Sequence, residues 1–470
     1  MYRCVNCGAG MRFDIASQQL HCDYCDASMA VADHPDERVA SEEDMFDVTV
    51  FCCPQCGGEL MSTENAATDF CSYCGASVIL EGRIGKEKSP DLVIPFLKTK
   101  EECQEIYKKK IHSAIFLPKE FKDPDHIDKI RGIYLPYWVY DVKQQGDVSL
   151  TGTRETSKYT EYLKMDCHID NDYDGVTRDA SSAFDDRISD FIAPFNTKSM
   201  RPFTPAYLAG FFADISDVSG DVYNESVKNE TNKRTEKQID SQYPGASINY
   251  PPDESAAFGT EITSMKSAMF PVWFLSWRRD DRVAYAVING ETGKICTDLP
   301  VDKKKYYLGS VLLAIPIFLL LSFLPTIRAT TLVTVSSILS VGTMLIYAVN
   351  SRTVYRREEH LDDLGYQAKL AEEREGEAGS APVPVEHAEA KKKVKSDAVK
   401  EIVPSVIVTI IALLVRFLIK PVSDIPYYAC AIAVLLCSCY VFTVLIKKYN
   451  VFATRPLPEF HNRKGGENYE

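Results

Sequence analysis

The chain has 470 residues, too many for one hydrophobic core, so it must divide into several structural units. Its formal net charge of −13 is unevenly placed: residues 1–300 have a soluble, acidic to neutral composition, whereas the last 165 carry four long apolar runs. Residues 1–80 hold three Lys or Arg against thirteen Asp or Glu, which excludes a phosphate-neutralising surface there.

Met1-Tyr2-Arg3-Cys4 opens without the apolar stretch of a signal peptide, so the N-terminus is expected to stay in the cytoplasm. Eight cysteines then form one pattern twice. Cys4, Cys7, Cys22 and Cys25 recur 49 positions later as Cys53, Cys56, Cys71 and Cys74. Each set is two Cys-x-x-Cys knuckles separated by fourteen residues, the donor arrangement of a structural tetrahedral zinc site. Thiolates offered to zinc suit a reducing compartment. Gly8 and Gly57 follow the first knuckles, and Asp26 and Gly75 the second. A residue able to take positive φ there turns backbone N–H groups toward the sulfurs. Four protein thiolates leave no position for water, so two structural Zn2+ are expected and no catalytic metal. Cys52, beside Cys53, is the one competing thiol.

The expected order of parts is a zinc ribbon over 1–31, an acidic linker over 32–49, a second ribbon over 50–82 and an α+β cytoplasmic domain over 91–300. Asp33 to Asp47 contains seven acidic residues and reads as a solvated spacer that keeps the ribbons apart as separate beads. In the domain, Thr99-Lys100-Glu101-Glu102 is a capping box, and Cys103, Ile106, Tyr107 and Ile111 keep helical spacing. Strand patterns cover 133–142, 148–153, 159–169, 270–277 and 283–289, the last entering an Asn289-Gly290 turn. Polar residues 222–242 suit an exposed helix or a long loop. Leu135-Pro136-Tyr137-Trp138 and Phe270-Pro271-Val272-Trp273 echo one another, as a duplicated Pro-led edge strand would.

Four apolar runs, 308–324, 330–348, 402–418 and 427–445, match the length of membrane-crossing helices. They form hairpins over 306–350 and 401–448, joined by a charged loop over 351–400 and followed by a tail over 449–470. A helix from Arg356 to about Glu375 is expected in that loop, and Lys391-Lys392-Lys393-Val394-Lys395 is read as a topology determinant. Lys303, Lys304 and Lys305 precede the first run and Lys447 and Lys448 follow the fourth. By the positive-inside rule both termini and the loop are cytoplasmic, in a multi-pass protein of the cell membrane. Arg416 is expected to snorkel to the interface.

Motifs for chemistry are missing. Gly82–Lys86 and Gly290–Lys294 lack the spacing and the Ser or Thr of a phosphate-binding loop, and both read as turns. Asp170-Asn171-Asp172-Tyr173-Asp174-Gly175 resembles half a calcium loop, but Ser181 stands where a bidentate Glu is required. An acidic hairpin turn is the better reading, and whether Asp170, Asp172 and Asp174 take a cation stays open.

The two cysteine sets resemble TFIIB-type zinc ribbons. Ribbons followed by a cytoplasmic domain and transmembrane helices are similar to a bacterial family of membrane-anchored zinc-ribbon proteins. That resemblance implies an SPFH (flotillin-like) protein partner and a role in envelope stress. The residues and the resemblance together lead to a non-enzymatic adaptor in a lipid bilayer that recruits a protein, and no motif identifies a small-molecule substrate. The alternatives are a transporter or channel subunit with regulatory ribbons, and a nucleic-acid-associated ribbon protein, which the acidity of residues 1–80 opposes.

Overall fold

Short strands separated by tight cysteine turns build the N-terminal region of the computed structural model, which describes residues 2–34, 45–62, 70–77, 81–323, 327–377 and 401–458. Strands β1 (Arg12–Asp14), β2 (Gln19–His21) and β3 (Ser28–Met29) form a three-stranded antiparallel sheet. In the second ribbon β4 (Met45–Cys52) pairs with β5 (Glu59–Ser62) on one side and with β6 (Glu81–Lys88) on the other. The expected borders at 49/50 and 82 therefore run through strands. All eight residues of β4 find ladder partners in β6, so pairing extends the unit at both ends. Gly82–Lys86 lies within β6 and is not a turn. Residues 35–44 of the acidic spacer lie outside the described residues.

The ribbons are not separate beads. Through Met61, β5 pairs with β11 (Phe212–Ala213), and β11 runs parallel to β8 (Arg131–Glu155), so the second ribbon continues a thirteen-stranded sheet. Beyond β8 the order is β13 (Thr260–Arg279), β7 (Leu92–Val93) and β10 (Arg201–Pro202). Hairpin partners β9 (Thr160–Asp179) and β14 (Arg282–Asn289) lie against β8 and β13. The short strands β12 (Ala246–Asn249), β15 (Ile295–Thr297) and β16 (Arg455–Pro456) complete the sheet. The first ribbon docks through Phe13, whose N–H donates to the Ala209 carbonyl at 2.9 Å and whose ring meets Tyr207 edge-on at 5.2 Å.

The centre of the sheet is apolar on both faces, as a strand covered on both sides must be. Met269, Trp273, Leu275 and Trp277 of β13 enter one core, and Ala268, Phe270, Val272 and Phe274 enter the other. Helix Lys100–His112 covers the first face with Cys103, Tyr107 and Ile111, and its Thr99 capping box forms as expected. Tyr107, Phe121 and His126 stack on Trp277 at 4.7–5.2 Å. Burying each such ring stabilises the fold by about 1.5–3 kcal/mol.

The two proline motifs are central, not edge, elements. They are direct neighbours, with Leu135 opposite Phe270 in the β8–β13 ladder. Each proline sits where its strand changes partner on the opposite side. Near Pro136 the neighbour of β8 passes from β11 to β9, and near Pro271 that of β13 passes from β7 to β14. No ladder donor is needed at such a handover, which is how a central strand tolerates proline. Their carbonyls still accept, from Ala180 and Gly290.

Residues 224–242 form a helix, and the middle of its buried face, Thr231, Asn232 and Thr235, is polar between Val227 and Ile239. Asn232 and Thr235 meet Gln144 and Thr260 in a hydrogen-bonded network beneath it. The Asp170–Gly175 stretch lies inside β9, because the hairpin turns earlier, where the Thr156 N–H donates to the Tyr159 carbonyl. Asp170, Asp172 and Asp174 alternate on its exposed face, and Gly175, at φ +74°, marks a bulge opposite Asp141.

Among the described residues, four helices are long and apolar enough to cross a membrane: Lys303–Ser322, Ala329–Glu358, Glu401–Ile419 and Ile425–Phe452. The second and fourth pack along each other through Val333, Tyr347, Val434 and Val441, and the third joins through a Ser340–Thr409 hydrogen bond of 2.9 Å. The first buries no residue. Arg416 donates from Nε to the Thr330 carbonyl at 3.2 Å. The expected helix 356–375 is split: the second helix runs on to Glu358 and another spans Leu364–Glu377. Lys391–Lys395 and residues 459–470 lie outside the described residues.

The basic ends of the second and fourth helices are locked to the sheet. Arg282 donates two bonds to Glu358, Arg357 and Arg455 both pair with Asp298 at 3.0 and 2.8 Å, and β16 adds to β14. Removing one partner of a buried pair costs about 3–5 kcal/mol, so these contacts fix the helices to the domain.

Candidate metal centres

The knuckle turns repeat atom for atom. N–H groups of Cys4, Cys22, Cys53 and Cys71 donate to the carbonyls of Ala9, Ala27, Gly58 and Ala76, five residues on in each case. Gly8, Asp26, Gly57 and Gly75 take positive φ of 75, 55, 72 and 69°, as the turn requires, and Asx side chains tolerate this conformation where other L residues do not. The Gly58 N–H points at the Cys56 sulfur at 3.4 Å.

These turns bring all eight predicted residues together as two groups, Cys4, Cys7, Cys22 and Cys25, and Cys53, Cys56, Cys71 and Cys74. The sulfurs of each group lie within 4.8 Å of one another, and none forms a disulfide. A tetrahedral zinc with Zn–S of about 2.3 Å needs sulfur–sulfur edges of about 3.8 Å. The edges Cys53–Cys74 and Cys56–Cys71 measure 3.8 and 3.7 Å, and Cys4–Cys25 and Cys7–Cys22 both measure 3.5 Å. Both groups could hold a metal ion, and their donors and dimensions fit zinc. Cys52 stays outside, with its thiol 3.8 Å from the Gly57 carbonyl.

Thiols this close cannot titrate independently. Backbone N–H groups of Asn6 and Cys7 lower Cys4 to about 6. In the second group, sharing with Cys56, Cys71 and Cys74 drives Cys53 down, while Cys53, Cys56 and Cys74 drive Cys71 up. A cation removes that conflict by taking all four as thiolates.

Burial separates the two groups. Cys53, Cys56, Cys71 and Cys74 are all buried, whereas Cys7 and Cys25 are exposed. Around the second group, the Tyr73 carbonyl accepts from the Tyr285 hydroxyl at 2.6 Å, the Arg278 guanidinium donates to Gln55, and Arg131 donates to the Phe70 carbonyl at 2.7 Å. These supporting residues escaped sequence reasoning, since each reaches the knuckles from strands 61 to 223 positions away.

The geometry defines a multidomain protein with two Cys4 centres, a mixed α/β sheet domain and four apolar helices. The chain is similar to a protein of Bacillus subtilis (strain 168) that carries the name "Uncharacterized protein YdjG", 27% identical over 313 residues that cover 65% of this chain and 91% of the relative. No family model matches the chain, and no solved structure matches it.

Proposed function

We propose that the protein is a non-enzymatic adaptor of the cell membrane, anchored by its four apolar helices, with both ribbons and the sheet domain in the cytosol to recruit a protein partner. The observation that carries this reading is the pair of all-cysteine centres, whose four thiolates leave no open coordination position for chemistry. Orientation follows from charge: Lys303–Lys305, Arg356, Arg357, Lys447 and Lys448 all lie at the helix ends next to the sheet domain. The resemblance to membrane-anchored zinc-ribbon proteins supports an SPFH (flotillin-like) partner under envelope stress. Arg416 binds a helix carbonyl, which favours anchoring over transport.

The test is affinity purification of the full chain from native membranes in mild detergent, beside a chain lacking residues 2–34 and a Cys22→Ser variant. Both changes should abolish partner capture while leaving the protein in the membrane fraction. Unchanged capture by both would sink the adaptor reading.

A further inference from the structure

The 49-residue repeat makes Tyr24 the counterpart of Tyr73, each standing immediately before the last cysteine of its group. Their surroundings are opposite. Tyr73 is 3% exposed: its ring meets Phe274 edge-on at 6.4 Å and its carbonyl accepts from Tyr285. Arg278 lies across the same knuckles, bonding Gln55 and packing 3.1 Å from where a side chain on Gly75 would begin. The second ribbon thus shows what a knuckle face of this type docks on: a strand pair offering two aromatic rings and an arginine.

On the first ribbon that face is bare. Tyr24 is 82% exposed and Val5 55%, and the side chains of Asp23 and Asp26 are 68% and 93% exposed. A tyrosine and a valine held in water on a small rigid turn are the composition of an interface anchor. The charge points to a basic partner, because zinc with four thiolates carries a net charge of about −2 and the two aspartates add to it, offset only in part by Arg12, 3.8 Å from Asp23, and by His21, 3.9 Å from Asp26. A second copy of the chain does not supply the receptor, since its Phe274, Tyr285 and Arg278 are already covered by its own second ribbon.

We propose that Val5, Asp23, Tyr24 and Asp26 form a docking face for a different protein, one that presents an arginine beside aromatic residues on a strand pair, as β13 and β14 do for the second ribbon. This deepens the adaptor reading and rests on it.

The full-length protein carrying the photo-crosslinker p-benzoylphenylalanine in place of Tyr24 is irradiated in native membranes, and crosslinked peptides are sequenced by mass spectrometry. Ser17, exposed at the far end of the β1–β2 hairpin, is replaced in the same way as the control. Crosslinks from position 24 alone, to a segment of another protein with arginine beside aromatic residues, are the expected result. Crosslinks only to a second copy of the chain, to lipid or nucleic acid, or to nothing would overturn the proposal. Tyr24→Ala, and separately Asp23→Lys with Asp26→Asn, which keeps an Asx side chain at the positive-φ position, should weaken capture of that partner about tenfold or more with two zinc ions per chain retained. If removal of residues 2–34 abolishes capture and these substitutions do not, the docking face fails while the adaptor reading stands. If removal of 2–34 changes nothing, both fail.

Discussion

The two ribbons share spacing, turns and donors, yet one is a peripheral module and the other a structural part of the sheet. All four cysteines of the second are buried and its strands continue into β11 and β8, whereas the first keeps two cysteines in water, pairs no strand with the large sheet and touches the domain through side chains such as Phe13 and Gln18. Local code thus sets the metal site, and what surrounds it sets how much of the protein depends on that site.

The largest consequence concerns Cys71→Ser. Metal binding by a zinc site of this kind is worth on the order of 10 kcal/mol, comparable with the whole stability of a domain. Because Tyr285, Arg278 and Arg131 reach the second ribbon from the sheet, losing its metal should expose the domain. Limited proteolysis should cut within residues 91–300, and metal analysis should fall from two zinc ions to one. A protease-resistant domain in that variant would show that the second ribbon is as detachable as the first.

Cys22→Ser tests the opposite limb. Zinc should again fall to one, but the domain loses only a peripheral contact, the packing of Phe13 on Tyr207, worth about 1.5–3 kcal/mol of burial, with the bonds of Phe13 to Ala209 and of Gln18 to the Phe96 carbonyl. Thermal unfolding of the domain should therefore shift by a few degrees and stay cooperative. Loss of both zinc ions would break the contrast.

How much of this was legible follows the range of the interactions. The eight ligands, the Thr99 cap and the apolar helices are set within a few residues or by a fixed repeat, and the chain displays them openly. The roles of Pro136 and Pro271 were misread because a proline's tolerance depends on which strand lies beside it, a fact of topology. The Asp170–Gly175 stretch was misread as a turn because turn-forming residues also suit the exposed face and bulge of a twisted strand. Joining of the ribbons to the sheet rests on Met61 meeting Ala213 and Phe13 meeting Tyr207, and no local pattern announces contacts across 150 positions.

A smaller effect separates the sites kinetically. Cys7 and Cys25 are open to solvent, so a metallochromic chelator should remove the first zinc at least about tenfold faster than the second, giving two phases of equal amplitude. A single phase would mean that burial of the second site offers no protection.

The smallest effect uses pH to ask whether the second ribbon follows its domain. Asp179 and Asp186 lie together beneath the Asp363–Leu364 turn, where Asp186 accepts from the Leu364 N–H at 2.7 Å. Burial, then the Asp363 charge, raises Asp186 to about 6, and burial with the Asp186 charge holds Asp179 well above the usual carboxylate range. The folded domain keeps protons here that the unfolded chain releases near pH 4. Stability from Asp186 is therefore full below about pH 4 and is lost as pH rises through about 6. Asp186→Asn removes that loss, so relative to the unchanged protein the variant should gain on the order of 1 kcal/mol at pH 8 over its difference at pH 5, read by urea unfolding. Zinc in the second ribbon, joined to this domain, should be released more slowly at pH 8 in the variant, while release from the first ribbon stays the same. Equal changes at both sites would mean that the first ribbon shares the domain's stability after all.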